Sequence, residues 1–204
     1  MPKRRSLLRI KKSGLGDMLE RYTFQNYQTP EQWQKAAKEK AIAYTTDYAG
    51  KWFVAAGTVG SGKTHLCTAI CGALMDAGLE TRYMLWRDRA VQIKAVVNDS
   101  EAYSAMVDPL KRVPVLYIDD FIKAARDESG KIKVTPGDIN LAFEILNARY
   151  NKKNLVTIIS TELPLDKIMD IDEAVGSRIF ERAKGYYLKF GSVGREKNWR
   201  LHKN

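Results

Sequence analysis

At 204 residues the chain is long enough for one large domain with its own core, or for one domain with a modest extension. Its 45% hydrophobic and 28% charged residues are ordinary for a soluble globular protein with a real core, and no stretch approaches the roughly 20 apolar residues that a bilayer span needs. The net charge of +10 points to a polyanion, nucleic acid being the commonest, and the absence of an apolar signal segment behind the basic N-terminus predicts a cytoplasmic protein with no membrane partner.

In chain order, Lys3, Arg4, Arg5, Arg9, Lys11 and Lys12 precede any acid, so residues 1–21 read as a basic arm or linker ahead of a domain spanning 22–204. Trp33, Ala36, Ala37, Ala41 and Tyr44 recur at helical spacing within Glu31–Tyr48. Trp52–Ala56 is a short apolar run ending in glycine, the form of a buried parallel strand. A helix over Lys63–Ala77 stops at Gly78, a strand follows over Thr81–Trp86, and helices are expected over Arg87–Asn98 and Glu101–Arg112. Val113–Ile118 is the third strand. Thr135-Pro136-Gly137-Asp138 then combines an N-cap, a proline at the first helical position and an acid three residues on. An apolar stripe of Ile139, Ala142, Phe143, Leu146 and Tyr150 continues that helix. Leu155–Ser160 is a fourth strand, Ile171–Ala183 another helix and Tyr186–Phe190 a last strand. Strands alternating with helices predict an α/β protein with a parallel sheet covered on both faces.

Cys67 and Cys71 sit four apart on one helix face, where buried thiols act as small hydrophobes. With only His65 and His202 as histidines and no second cysteine pair, a zinc site lacks its ligand set.

The segment Gly57-Thr58-Val59-Gly60-Ser61-Gly62-Lys63-Thr64 fits the P-loop pattern G-x-x-x-x-G-K-[ST] in full. Chance produces those four fixed positions in a chain of this length only at about the one-percent level. It also falls where it must, after a strand and at the start of a helix. Glycines let successive backbone N–H groups turn inward around a phosphate, and the helix N-terminus adds positive potential. Lys63 is expected on the β and γ phosphates, with His65 closing the segment and the Thr64 hydroxyl on Mg²⁺. The third strand runs into Asp119-Asp120, and carboxylates at the carboxyl end of a buried strand lie where open α/β sheets bind ligands. Asp119 is the expected magnesium ligand, and Asp120 the orienter of an attacking water.

On these residues the chain resembles the AAA+ ATPase domain of the DnaC/DnaI helicase loaders, a family that overlaps with the IstB-like transposition ATPases. Thr23, Phe24, Asn26 and Tyr27, the Gly-Ser-Gly-Lys-Thr-His-Leu P-loop, Asp119-Asp120, Asn147-Ala148-Arg149-Tyr150, Ile159-Ser160-Thr161, and Gly176-Ser177-Arg178 with Arg182 carry the likeness. Phage and prophage replication proteins of this type are especially similar. The resemblance implies a three-layer P-loop NTPase of the AAA+/ASCE type with sheet order 5-1-4-3-2 and no C-terminal lid. It implies ATP and Mg²⁺, self-association with the nucleotide at a subunit boundary, a replicative helicase of DnaB type and single-stranded DNA as partners, and Thr23–Tyr27 near the adenine. It further implies that Arg178 or Arg182 acts in trans as an arginine finger, a role that contributes on the order of a thousandfold to turnover.

Two departures stand out. Where the family has asparagine after the fourth strand, this chain has Glu162, which when ionised accepts but does not donate. Either Thr161 takes over the sensing role or basal hydrolysis is slow. The second lies ahead of the domain, where about twenty residues are too few for the separate N-terminal domain that grips the helicase in loaders. Between them, the segment 121–134 carries Lys123, Arg126, Lys131 and Lys133 and is a candidate for DNA phosphate contacts, diluted by Asp127 and Glu128. Tyr83, Trp86 and Trp199 read as core aromatics. The leading reading is an ATP-driven helicase loader. An IstB-like helper of a transposase on duplex DNA, and a module that uses ATP only as an assembly switch, are the alternatives; a small-molecule kinase gains nothing from the second half of the motif set.

Overall fold

Five apolar runs become five strands, β1 Phe53–Gly57, β2 Thr81–Leu85, β3 Val115–Asp119, β4 Val156–Thr161 and β5 Tyr187–Phe190. The structure, a computed structural model, describes residues 10–123 and 134–190. All four strand pairings are parallel, and the order β2-β3-β4-β1-β5 is the expected 5-1-4-3-2 read from the other edge. β1 is thereby an interior strand, with β4 on one side and the edge strand β5 on the other.

The helices are α1 Met18–Arg21, α2 Gln32–Tyr44, α3 Lys63–Asp76, α4 Trp86–Ala95, α5 Ser100–Arg112, α6 Pro136–Tyr150, α7 Leu165–Ile171 and α8 Glu173–Arg182. Side chains alternate faces along a strand, and the two cores follow that period. Val54, Leu116, Ile118 and Ile159 pack with Leu141, Ile145 and Ile179 of α6 and α8 on one side. Phe53, Ala55, Val115, Tyr117 and Ile158 pack with Leu66, Ile70 and Leu74 of α3 and with Ala41 and Tyr44 of α2 on the other. Cys67 and Cys71 are free thiols buried in this second layer. Burial pushes both thiols up, so neither is a ready nucleophile.

The start of α6 forms as its sequence predicts. Thr135 Oγ1 accepts from the Asp138 N–H at 3.2 Å and the Asp138 carboxylate accepts from the Thr135 N–H at 3.2 Å, with Pro136 opening the helix. Elsewhere the boundaries move for local reasons. The helix expected over Ile171–Ala183 breaks at Asp172, which leaves helical dihedrals (φ −156°, ψ 111°) and caps α8 by accepting from the Val175 N–H at 2.7 Å. The residues before it form α7, a short helix that the hydrophobic pattern did not mark.

The sequence reads residues 1–21 as an arm or linker ahead of the domain, and of these the structure packs residues 10–21 onto the domain. Leu15 is buried in the second core, the Ser13 hydroxyl accepts from the Leu15 N–H at 3.1 Å, and Leu19 lies against Gly72 of α3. Leu15, Met18 and Leu19 stand at helical spacing, but the segment is too short and too close to the basic run for that pattern to mark it. Lys11 and Lys12 stay exposed, and Lys3 to Arg9 lie outside the described residues.

Candidate active site

The loop from β1 to α3 has to turn sharply beside a neighbouring strand, and two glycines make that possible. A Cβ on Gly57 would come within 2.5 Å of the Phe190 carbonyl oxygen, and one on Gly62, at φ 89°, within 3.1 Å of the Tyr27 ring. Lys63 then folds over the loop, its ammonium donating to the carbonyls of Gly57 at 2.8 Å and Thr58 at 2.7 Å. Burial lowers the Lys63 pKa, opposed by the nearby carboxylates of Glu162, Asp120 and Asp119. Ser61 Oγ donates to the Thr58 carbonyl at 2.9 Å and tightens the turn.

Residues 60–65 form the floor of a cleft of about 730 Å³. Asp120, Lys123 and Glu162 stand at one end and Arg21, Tyr22, Asn26, Tyr27, Gln28 and Gln34 at the other. At the first end, Thr64 Oγ1 lies 3.3 Å from Asp119 Oδ1, across 55 residues of sequence. Asp119 is nearly buried and surrounded by hydroxyls. Tyr117 donates to Oδ1 at 2.8 Å, Tyr83 donates to Oδ2 at 3.1 Å and Ser160 Oγ donates to Oδ1. Burial first, and then the neighbouring Asp119 charge, raise the Tyr83 pKa, while burial, Cys67 and Asp119 raise that of Tyr117. Both phenols therefore stay protonated and keep donating. This hydroxyl cage was not anticipated. Tyr117 could have been found from its position two residues before Asp119 on the same strand face, but Tyr83 and Ser160 arrive from other strands.

Asp120 begins a tight turn with φ 53°, and Ile122 has φ 52°. A β-branched residue in the left-handed region is strained by about 1–3 kcal/mol, a cost met only where surroundings hold it. Here they do. Phe121 and Ile122 are buried, the Phe121 N–H donates to the Ser160 carbonyl at 2.8 Å, and Thr161 Oγ1 donates to the Phe121 carbonyl at 3.0 Å. The turn aims Lys123 into the cleft, where Nζ lies 3.1 Å from Asp120 Oδ2 and 2.7 Å from Glu162 Oε1. Burial works against the charged form of Lys123, but the bonds to Glu162 and Asp120 prevail and hold its pKa above the ordinary lysine value. Lys123 thus does not belong to a DNA-facing loop as its basic neighbourhood suggests; Arg126, Lys131 and Lys133 lie outside the described residues.

At the far end, Thr23 and Asn26 brace each other. The Thr23 N–H donates to Asn26 Oδ1 at 3.0 Å, and the Asn26 N–H to Thr23 Oγ1 at 3.3 Å. His65 Nε2 is 2.9 Å from the Thr23 carbonyl and 2.9 Å from Asn26 Oδ1, two acceptors, which fixes the Nε2–H tautomer. Burial holds the His65 pKa below its usual value, the Thr23 bond opposing it. His65 therefore ties the Thr23–Tyr27 segment to the P-loop helix, and Tyr22, Asn26 and Tyr27 from that region face the cleft.

The remaining sequence candidates lie away from it. Thr161 is fully buried, its hydroxyl engaged by the Phe121 carbonyl and the Leu163 N–H, so Glu162 and not Thr161 faces the cleft. Arg182 is also buried, with its guanidinium over Trp52 at 5.7 Å and donating to the Tyr150 carbonyl at 3.0 Å, a support for the helix layer rather than a side chain able to reach a neighbour. Arg178 is half-buried on α8, donating to Asn147 Oδ1 at 3.0 Å and lying over the Phe143 ring at 4.9 Å. Trp86 is core, against Phe121 at 5.0 Å, and Trp199 is outside the described residues. Among the described residues no helix is long and apolar enough to cross a membrane.

The family model described as IstB-like ATP binding protein matches residues 1–183. The chain is similar to an uncharacterised protein, YqaM, of Bacillus subtilis strain 168, at 33% identity over 93% of this chain and 61% of the relative. It is similar also to the phage-like element PBSX protein XkdC of the same organism, at 33% identity over 71% of this chain and 52% of the relative. The replicative helicase loader DnaC of Escherichia coli K12 is 24% identical over 85% of this chain and 67% of its own length. This chain thus spans about half to three-fifths of the length of the two Bacillus relatives. A crystal structure of the DnaC helicase loader shares the fold, with a TM-score of 0.67 at 19% identity over 84% of this chain and 97% of that one. The chain belongs to the family of IstB-like ATP binding proteins.

Proposed function

We propose that the protein binds and hydrolyses ATP as a loader or remodelling ATPase acting on a replicative helicase and single-stranded DNA. The observation that carries the ATPase reading is the 3.3 Å approach of Thr64 Oγ1 to the Asp119 carboxylate beside Lys63 and the P-loop amides. A hydroxyl and a carboxylate are hard oxygen donors of the kind Mg²⁺ takes in phosphate sites, where it draws its other ligands from phosphate and water. Among the described residues no group of three or more His, Cys, Asp or Glu forms an independent metal cage, which suits an ion carried in with its nucleotide. Thr64 and Asp119 would hold the ion, and its charge would offset that developing on the β and γ phosphates.

This chain's residues have distinct tasks in the reaction. The amides of 60–63 and the Lys63 ammonium hold the phosphates, and the tyrosine and serine hydroxyls orient Asp119. Asp120 orients a water whose oxygen bonds to the γ-phosphorus as the bond to the β–γ bridging oxygen breaks. The water proton passes to the phosphate product and ADP leaves. Tyr83→Phe, which removes one donor to Asp119 and little volume, is expected to weaken magnesium affinity about tenfold. Titrating Mg²⁺ against binding of a fluorescent ATP analogue reads it, and an unchanged midpoint would remove Tyr83 from the metal's support.

The helicase assignment rests on the similarity to DnaC, and the XkdC likeness favours a phage or prophage setting. Arg178 is the proposed trans finger at a self-associated interface, since it keeps partial exposure where Arg182 does not. The family match favours a second reading, an IstB-like helper of a transposase on duplex DNA. A pull-down from the host with ATP and with no nucleotide separates the two. An ATP-dependent hexameric helicase together with salt-sensitive single-strand binding supports the first reading. A transposase with duplex preference replaces it with the second.

A further inference from the structure

Resting on the ATP reading above, a further property of the same cleft follows from its carboxylates. Asp119, Asp120 and Glu162 gather at the end where the P-loop would place the γ-phosphate, the most negative part of the ligand. Glu162 carries no proton to donate when ionised, so on its own it repels that group. Lys123 changes the balance. Its ammonium bridges Asp120 and Glu162 in the same cleft, 3.1 Å from one and 2.7 Å from the other.

A lysine on a solvated loop would not be built this way. Lys123 follows two non-glycine residues in left-handed conformation, Asp120 and Ile122. Buried Phe121 and Ile122 anchor the turn, and bonds to or from its backbone close it, among them Phe121 N–H to Ser160 O, Thr161 Oγ1 to Phe121 O, and Lys123 N–H to Asp120 O at 3.0 Å. Two of those bonds come from the end of β4, the strand that also delivers Glu162. The position of the lysine is thus specified by the same strand end that presents the glutamate, and strain is tolerated to keep it there.

We propose that Lys123 is a second cis cation for the γ-phosphate, positioned by Glu162, and that it is the residue by which this chain tells ATP from ADP. The Lys63 ammonium lies on the P-loop carbonyls and Lys123 on the carboxylates of Asp120 and Glu162, both in the cleft, so the terminal phosphoryl group would meet two lysines of one chain. ADP lacks that group and gains nothing from Lys123. Glu162 is then a positioning residue, since it acts through the lysine.

Equilibrium binding of ATP and ADP, each with Mg²⁺, tests this on the full chain and its variants. Lys123→Met is expected to weaken ATP about tenfold or more, the worth of a charge-assisted hydrogen bond, with ADP affinity within about twofold of the parent. Lys123→Arg keeps most of the preference for ATP. Glu162→Gln removes a negative charge from the cleft, and simple repulsion predicts tighter ATP binding; the positioning role predicts weaker binding with ADP unaffected. Lys123→Met with an unchanged ATP-to-ADP ratio overturns the proposal while leaving the nucleotide site intact, and so does Glu162→Gln that tightens ATP. If Lys123→Met does not fold, the arginine and glutamine variants decide the matter by the same ratio. A parent protein that binds neither nucleotide overturns the ATP reading itself.

Discussion

Lys63→Ala is expected to give a folded protein that has lost ATP, with affinity reduced roughly a hundredfold or more and turnover with it. The reason lies in where the ammonium sits. Its partners in the protein are two loop carbonyls, Gly57 and Thr58, and the side chain lines the cleft. Water can replace the lysine there, so the fold loses little when the side chain is cut back. A triphosphate loses its principal charged contact. Thermal melting separates these effects, because a ligand that binds only the native state raises the midpoint in proportion to occupancy. Millimolar ATP with Mg²⁺ should raise the parent's melting temperature and leave the variant's where it was. Equal shifts in the two proteins would mean that the nucleotide does not use this loop.

Arg149→Met is expected to do the reverse, spoiling stability while touching no ligand. Arg149 is fully buried with no carboxylate partner among the described residues, and its guanidinium acts as a clasp for main-chain carbonyls. Nη1 donates to Leu110 O and Val113 O at 2.9 Å each, Nη2 to Val156 O at 2.5 Å, and Nε to the Thr157 hydroxyl at 2.9 Å. Those acceptors belong to the end of α5, the approach to β3 and the start of β4. Burial pushes the Arg149 pKa down to about 9, a sign of how dry the position is. Methionine approximates the stem and strands the carbonyls without donors, so the loss should be about 3–5 kcal/mol. Urea unfolding measures it, and a loss under about 1 kcal/mol would mean that water or a shifted chain replaces the clasp. Lysine, with three donors and no fork, should recover only part.

These two residues also mark what could and could not be read ahead of the structure. The P-loop is eight consecutive residues whose chemistry is local, so Lys63 and Thr64 were legible at once, as was Asp119 at the end of an apolar run. The sheet order came with the family likeness and holds. Arg149 was visible only as part of a recurring segment, because an arginine buried among carbonyls and one facing water look alike in a sequence. Arg182 illustrates the same difficulty from the other side, as a finger candidate that proves to be packed over the Trp52 ring. Lys123 was misplaced because the surrounding charge pattern is basic, whereas its direction is set by two left-handed residues, Asp120 and Ile122, that no glycine announces. The donors around Asp119 come from three strands, and only their register brings Tyr83 opposite Tyr117. Such convergence is a property of topology.

The N-terminal segment has a mechanical consequence. It runs as one thread from Gly14, which lies against Tyr83, through Leu15 in the core to Arg21 and Tyr22 on the wall of the cleft. Peeling it back would uncover Tyr83, which donates to Asp119, and dismantle one wall of the cleft in a single motion. On the proposed ATP reading, whatever takes hold of this segment would have a handle on how long a nucleotide stays.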